Sequence, residues 1–394
     1  MDHREAQRAV LDRIRPPRLH HVPLDEAAGR VLAHDVRTAV DQPPFDNSAM
    51  DGYAVRHTDL GTTPTTLEVV GTAAAGHPAE VSIGPGQAAR ILTGAVMVRG
   101  ADTIVPVEDT DAGHDRVVVR RAPEQGAHVR RAGEGARRGD VVLQAGTLLH
   151  PGHLGLAASS GVDTLTVVAP ARVAIVTTGD ELVPAGHELG PGQIHESNAV
   201  VAAGLVRGTG AEVTVHHSSD DAVALRALLD QVASTHDLVL TTGGVSMGAE
   251  YDSVRVALAE ARADVEVVKL DIRPAKPLAF GTLGAALFVG LPGNPVSVVV
   301  SFELFVRPAL RRLAGIEPAV PPVVAAPAGE RLEHPGGPAT HFVRVRHDEG
   351  SWVSTGGTGS HLIAGIAAAG ALAVLAPGTD VAPGESLALV PLWT

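Results

Sequence analysis

Five stretches of this 394-residue chain combine residue types and spacings that can do chemistry. Thr242-Gly243-Gly244-Val245-Ser246-Met247-Gly248 follows the apolar run Leu238-Val239-Leu240. Glycines let a backbone approach an anion closely, and exposed N–H groups at a following helix start bind it. The plainer alternative is a tight strand-to-helix turn. Thr178-Gly179-Asp180-Glu181 puts two adjacent carboxylates at the end of another apolar run. Carboxylates beside a phosphate cradle hold Mg²⁺, which takes few protein ligands; the alternative is a helix N-cap at Asp180. For Asp220-Asp221, ahead of Ala222 to Leu229, the N-cap is the stronger reading.

Pro274-Ala275-Lys276-Pro277 clamps one lysine between two prolines, with Arg273 just before it. Of the 31 basic residues only two are lysine, Lys269 and Lys276, and a general bias toward arginine accounts for most of that imbalance. Yet both lysines fall within eight residues of each other. Lysine is a compact point charge that arginine does not imitate, so Lys276 is a candidate anion ligand. The fifth stretch, Pro43-Pro44-Phe45-Asp46-Asn47-Ser48-Ala49-Met50-Asp51-Gly52-Tyr53-Ala54-Val55, packs polar residues between apolar anchors and reads as a functional loop. His20-His21 and His216-His217 do not read as metal sites, because neighbours on a strand or helix point apart. No His-Glu-x-x-His helix and no nucleophile elbow is present, so serine-hydrolase chemistry is unsupported.

The elements that must position these residues are legible in outline. Around residues 171–316, strand, Gly-rich loop and helix recur three times, in a pattern that predicts a parallel α/β sheet with right-handed crossovers. Strands are expected at 173–176, 238–240, 266–270 and 286–289, with helices after Asn198, over 253–261 and up to Leu313. Ligands of such sheets sit at the carboxyl ends of the strands, so the Gly-rich loops are expected to converge there. Residues 1–40 predict an amphipathic helix through Ala6, Val10 and Ile14, ended by Pro16-Pro17, and a second short helix from Leu24 to Arg30. Residues 57–140 read as a small β domain. A Pro/Ala-rich linker from Pro318 to Pro327 precedes a further β segment.

Composition narrows the function classes. The length calls for more than one core, since domains run to about 100–200 residues. The net charge of −13 disfavours nucleic-acid binding and requires any anionic substrate to be held by local cations. The absence of cysteine removes disulfides, thiolate catalysis and Cys-ligated metals. No apolar run is long enough for a membrane span and no secretory signal is evident, so a cytoplasmic protein without membrane contact is expected.

In these stretches the chain resembles the MoeA, or molybdopterin molybdenumtransferase, family, which includes the E domain of gephyrin. The resemblance rests on Phe45–Val55, Thr93-Gly94-Ala95 with Gly100-Ala101-Asp102, Thr178–Leu182, Gly192-Gln193-Ile194 with Ser197-Asn198, Gly243–Gly248, Pro274–Pro277, Leu291–Ser297 and Gly359-Ser360-His361-Leu362. It covers nearly the whole chain and keeps the family's order. It implies a MogA-like doubly wound α/β domain (171–316), an elongated N-terminal domain (1–45 and 141–170), an inserted β domain (46–140) and a C-terminal β domain (317–394). It also implies a homodimer with the active site between subunits, and a Mg²⁺-dependent transferase. Adenylylated molybdopterin is cleaved, AMP leaves, and molybdate is taken up by the dithiolene. The molybdopterin adenylyltransferase, apo-molybdoenzymes and their chaperones become candidate partners.

Position by position, the resemblance implies catalytic roles for Asp51, Glu181, Asp220, Asp252 and Lys276, with Glu181, Asp220 and Asp252 placing Mg²⁺. It implies molybdopterin binding by Thr93, Gly243, Gly244, Ser246, Gly248, Pro274, Pro277, Pro292, Gly293 and Asn294, and molybdate binding by Arg273, Lys276, Arg344 and Ser360. Charge-assisted hydrogen bonds of that kind are the strong ones. Five positions depart from the family pattern. Gly135 stands where an aspartate is usual, Ala275 where a glycine is usual, and Arg273 where a lysine is usual. The acid after Gly248 arrives one place late, as Asp252 or alternatively Glu250, and the stretch at Ala95 lacks a proline. An active insertase is therefore weighed against a molybdopterin-binding paralogue without turnover. A molybdopterin adenylyltransferase is disfavoured, because that enzyme resembles only the α/β part.

Overall fold

The computed structural model describes residues 1–243, 253–261, 263–357 and 359–393. The chain forms two compact units, one made of 1–20 with 168–394 and the other of 21–167.

The first unit is built on a six-stranded sheet in the order Glu212–Ser218, Arg172–Thr178, Leu238–Thr242, Ala286–Leu291, Pro277–Leu283, Asp264–Lys269. The first four strands are parallel, as expected. Pro277–Leu283 runs antiparallel to both of its neighbours, so this one strand is reversed, which corrects the all-parallel expectation. The reason is chain length: a parallel return needs a crossover of a dozen or more residues, and the connections on either side of this strand span only 270–276 and 284–285. The central strands are apolar because helices cover both faces. Val173 and Ile175 face helices Asn198–Gly208 and Pro295–Ser301, while Ala174 and Val176 face Ala222–Ala233 and Ser253–Glu260.

The first helix, His3–Leu11, is capped by the Asp2 carboxylate, which accepts from the backbone N–H of Arg4 at 2.8 Å and Glu5 at 3.4 Å. Its apolar face, Ala6 and Val10, packs into this α/β core. The segment 1–45 is therefore divided: its first 20 residues belong with the α/β unit. The expected helix from Leu24 to Arg30 is only a 3₁₀ turn, Leu24–Glu26, with Gly29 then in left-handed backbone.

A second sheet in the same unit runs Ile272–Arg273, Thr340–Asp348, Ala371–Leu375, Ser386–Pro391, Val324–Pro327. The residues between Asp264–Lys269 and Pro277–Leu283 thus leave the α/β sheet and pair with the C-terminal one.

The unit 21–167 contains a five-stranded sheet, Thr103–Pro106, Gly52–Val55, Gln87–Ile91, Thr65–Ala73, Arg116–Val119. Tyr53 is fully buried in it and its hydroxyl donates to the Gly113 carbonyl at 2.9 Å. A separate cluster gathers Leu32, Leu143, Leu149 and Val167 around the helix Pro151–Ser159.

One buried ion pair interrupts the α/β core. Arg307 donates to both oxygens of Glu303 at 2.5 and 2.9 Å, in a π-helical turn where the Glu303 side chain is 0% exposed. Burial raises the Glu303 carboxyl above the ordinary range despite the opposing pull of Arg307. A pair in that state is costly to break yet of little net benefit. We predict that Arg307→Met alone costs about 3–5 kcal/mol of unfolding free energy. The double variant Glu303→Leu/Arg307→Met should recover most of it. Denaturant titration of both variants measures this, and equal destabilisation of the two would refute it.

Candidate functional site

The carboxyl ends of the parallel strands meet at Gly243. Its N–H donates to the Leu291 carbonyl at 3.0 Å, which ties the loop after Leu238–Thr242 to the end of Ala286–Leu291. Its φ of +90° is open to glycine, and a Cβ built there would stand 3.8 Å from the Thr178 carbonyl oxygen. A Cβ on Gly293 would lie 3.8 Å from the Gly243 Cα. Three strand-end loops are therefore in contact.

A cleft of about 860 Å³ opens over this point. The α/β sheet contributes Gly243, Pro292, Gly293 and Asn294. The excursion between the sheets contributes Arg273, Pro274, Lys276 and Pro277. The C-terminal segment contributes His341, Arg344 and Ser360. Among the described residues, no aspartate or glutamate lines it. Arg273 and Lys276 are exposed and have no ion-pair partner among the described residues. Both cations thus face open space in a protein of net charge −13.

The lysine is positioned by its own loop. Leu270 N–H donates to the Lys276 carbonyl at 2.7 Å and closes the excursion at its base. Ala275, 4% exposed, sits at φ +71°. Left-handed backbone costs an L-residue about 1–2 kcal/mol, a cost that glycine avoids. The alanine therefore carries strain where the family pattern has glycine. Ile272 and Arg273 pair in parallel with Thr340 and His341, so Arg273 and His341 stand side by side on one sheet face.

Arg344 acts differently from Arg273. It is 5% exposed, and it donates to the carbonyls of Gly357, Gly359 (3.3 Å) and Leu362 (3.1 Å). Burial lowers its pKa. Three of its N–H groups hold the loop that carries Ser360. The Ser360 carbonyl accepts the N–H of Val296 at 3.1 Å, which anchors the same loop to the start of Pro295–Ser301. Arg344 is thus a positioning group for the Ser360 loop as well as part of the cleft wall.

The acids gather at the ends of the neighbouring strands. The backbone N–H of Asp180 donates to the Asp220 carboxylate at 3.3 Å, and that of Asp220 to the Asp180 carboxylate at 3.4 Å. The Ser253 hydroxyl donates to Asp220 at 3.4 Å. The Glu181 carboxylate folds back over Gly179, where a Cβ would fall 2.4 Å from its Oε2. Asp221 caps the helix Ala222–Ala233 by accepting from Ala224 N–H at 2.8 Å, which leaves Asp220 as the acid turned toward Asp180. Among the described residues no three His or acidic side chains form a metal cage. Gly244, Ser246, Gly248, Glu250 and Asp252 lie outside the described residues.

Asp51 and Thr93 belong to the unit 21–167 and bind each other. The Asp51 carboxylate accepts from both the N–H and the hydroxyl of Thr93 at 2.7 Å, and these bonds lower its pKa. Asp46 and Ser48 of the same loop already have partners: Asp46 accepts from Ala132 N–H at 2.8 Å and pairs with the Arg131 guanidinium at 2.7 Å, and Ser48 donates to the Met50 carbonyl at 2.5 Å.

Sequence reasoning missed His341. It lies in a strand three residues before Arg344, and only the pairing with Arg273, which is far away in sequence, brings it to the cleft.

Comparison with known proteins agrees along the whole chain. Residues 1–161 match the model for the MoeA N-terminal region (domain I and II), 174–312 a probable molybdopterin binding domain, and 326–392 the MoeA C-terminal region (domain IV). A Mycobacterium tuberculosis protein called molybdopterin molybdenumtransferase 2 is 41% identical over 396 residues, covering 97% of each chain. A Nostoc protein called molybdopterin molybdenumtransferase is 39% identical and covers 83% of this chain and 73% of its own. Two solved structures of the molybdopterin biosynthesis MoeA protein from Pyrococcus horikoshii superpose with TM-scores of 0.85 and 0.83 at 27% identity. They cover 100% and 99% of this chain and 99% of each of theirs.

Arg344→Lys keeps the charge but loses the fork. It is expected to speed amide hydrogen exchange from Gly359 to Leu362 by at least about tenfold, the equivalent of ~1.4 kcal/mol. Unchanged exchange there would show that the loop does not depend on the guanidinium.

Proposed function

This chain belongs to the molybdopterin molybdenumtransferase family, and from that premise we propose that it inserts molybdenum into adenylylated molybdopterin. The observation that carries the proposal is the cleft with Arg273, Lys276 and Ser360 on its walls and, among the described residues, no acid lining it. Molybdate is a tetrahedral dianion, and two cations with a hydroxyl match it by charge-assisted hydrogen bonds. Arg344 keeps the Ser360 loop in place for that contact. Gly243, Pro292 and Gly293 line a smooth floor on which the pterin and its phosphate can lie.

Water cleaves the pyrophosphate bond, AMP departs, and the dithiolene sulfurs take up molybdenum as molybdate oxygens are released as water. The acids Glu181 and Asp220 supply hard oxygen donors beside this floor, which suits Mg²⁺, an ion that takes one or two carboxylates and fills its shell with water and phosphate oxygens. Bound there, it would neutralise pyrophosphate charge. The same reading makes the protein a cytoplasmic homodimer in which the Asp51 loop completes the partner's site. Its substrate would come from a molybdopterin adenylyltransferase and its product would pass to apo-molybdoenzymes.

Gly135 favours a second reading, a paralogue that binds molybdopterin without turnover. The test is to mix the purified protein with adenylylated molybdopterin, molybdate and Mg²⁺ and to follow AMP and product molybdenum. AMP release with molybdenum in the product is expected; bound ligand without AMP would support the paralogue instead. Lys276→Arg should raise the molybdate concentration needed for half-maximal insertion by about tenfold, or ~1.4 kcal/mol. Unaltered molybdate dependence would count against the lysine. A Cβ at Gly135 would stand 3.1 Å from the Gln42 carbonyl, so Gly135→Asp requires a small backbone adjustment. It is expected to speed AMP release; an unchanged rate would show that another group replaces the missing acid.

A further inference from the structure

His341 stands in the cleft beside Arg273, and none of the family motifs includes it. It pairs in register with Arg273 across the parallel bridge between Ile272–Arg273 and Thr340–Asp348. On its other side is His334, with ring centroids 4.7 Å apart and a T-shaped arrangement.

The two rings are not equivalent. Gly336 N–H donates to His334 Nδ1 at 3.0 Å, which requires a lone pair on that nitrogen. His334 Nε2, 2.8 Å from the Ala339 carbonyl, must then carry the hydrogen. Both nitrogens of His334 are thereby engaged with backbone groups. The ring that lines the cleft is that of His341.

The other neighbours of His341 are known. Leu375 faces it from the adjacent strand and is apolar. Lys276 shares the cleft. Asp271, whose carbonyl accepts Thr340 N–H, turns its carboxylate to the N-terminal ammonium at 3.3 Å. Asp380 accepts the backbone N–H of His334 at 2.9 Å and pairs with Arg331 at 3.1 Å. No carboxylate faces the ring among the described residues, and the charged group beside it is the cation Arg273.

We infer that His341 is a further ligand of the oxyanion in this cleft and takes up a proton when a tetrahedral dianion binds. The inference rests on the proposed molybdate role of the cleft. In the empty cleft, burial first, then His334 and Arg273, hold the ring below the ordinary histidine range, so it is neutral near pH 7. A bound dianion reverses the sign of the local field and favours the imidazolium. Affinity must then rise as pH falls through the pKa of the bound state, and level off below that of the free state. Selectivity follows as well: a dianion draws the proton, and a monoanion of similar size draws it less.

Isothermal titration with molybdate at about pH 6 and about pH 8, in buffers of different ionisation enthalpy, reads both affinity and proton uptake. Wild-type protein should bind at least about fivefold tighter at the lower pH, with net proton uptake. His341→Gln should bind with a flat pH response and no uptake, and His341→Lys tightly at both pH values. Thermal melting of each variant confirms that it is folded. A pH slope that survives in folded His341→Gln, or no slope in the wild type, overturns the inference. Lys276→Gln separates it from the underlying reading: lost binding at both pH values upholds the cleft, while wild-type affinity in that variant, or no molybdate binding to the wild type, removes the cleft assignment and this inference with it.

Discussion

The placement of charge is the constraint on which the rest depends. A chain with net charge −13 that is to hold an anionic substrate needs a pocket of unneutralised cations, and no described acid lines the cleft of Arg273 and Lys276. Cations in such a pocket are not neutralised by partners and their field is focused by low-dielectric walls. The acids are not far away. Asp180, Glu181 and Asp220 sit on loops that follow the adjacent strands, and the backbone N–H groups of Asp180 and Asp220 lock those loops together. The carboxyl edge of one sheet thus carries two neighbouring zones of opposite sign, suited to an anion on one side and a cation-bound phosphate on the other.

This separation explains an odd turn in the topology. Between Asp264–Lys269 and Pro277–Leu283 the chain leaves the α/β sheet, adds Ile272–Arg273 to the C-terminal sheet, and returns. A simple hairpin would have left Arg273 and Lys276 on the sheet edge. The excursion instead sets Arg273 against His341 and Lys276 at the cleft mouth, with Ala275 in a left-handed conformation. Burying strain of that kind beside a binding group is a recurrent cost of positioning one.

Much of this was legible in the sequence. Continuous apolar runs ending in Gly-rich loops located the parallel strands, because strands covered on both faces have no polar alternation. Pro-Ala-Lys-Pro and the rarity of lysine singled out Lys276 from composition alone. Local chemistry was also readable where it was short-range, as with the cap at Asp221. What depended on distant pairing was not. His341 becomes part of the site only through Arg273, and the antiparallel return of Pro277–Leu283 is decided by loop length more than by pattern. The first helix looked like part of an N-terminal domain, yet its apolar face of Ala6 and Val10 is complementary to the α/β core. Arg344 was recognisable as a residue of the site, but its carbonyl-binding fork is a property of the folded loop around Ser360.

The central claim is that the cleft lined by Arg273, Lys276 and Ser360 is the oxyanion site. Crystals of the protein grown with tungstate, the heavier relative of molybdate, test it directly through anomalous scattering. The account predicts one dominant anomalous peak within hydrogen-bonding reach of Arg273, Lys276 and Ser360. A dominant peak elsewhere on the chain, with that cleft empty, would contradict it.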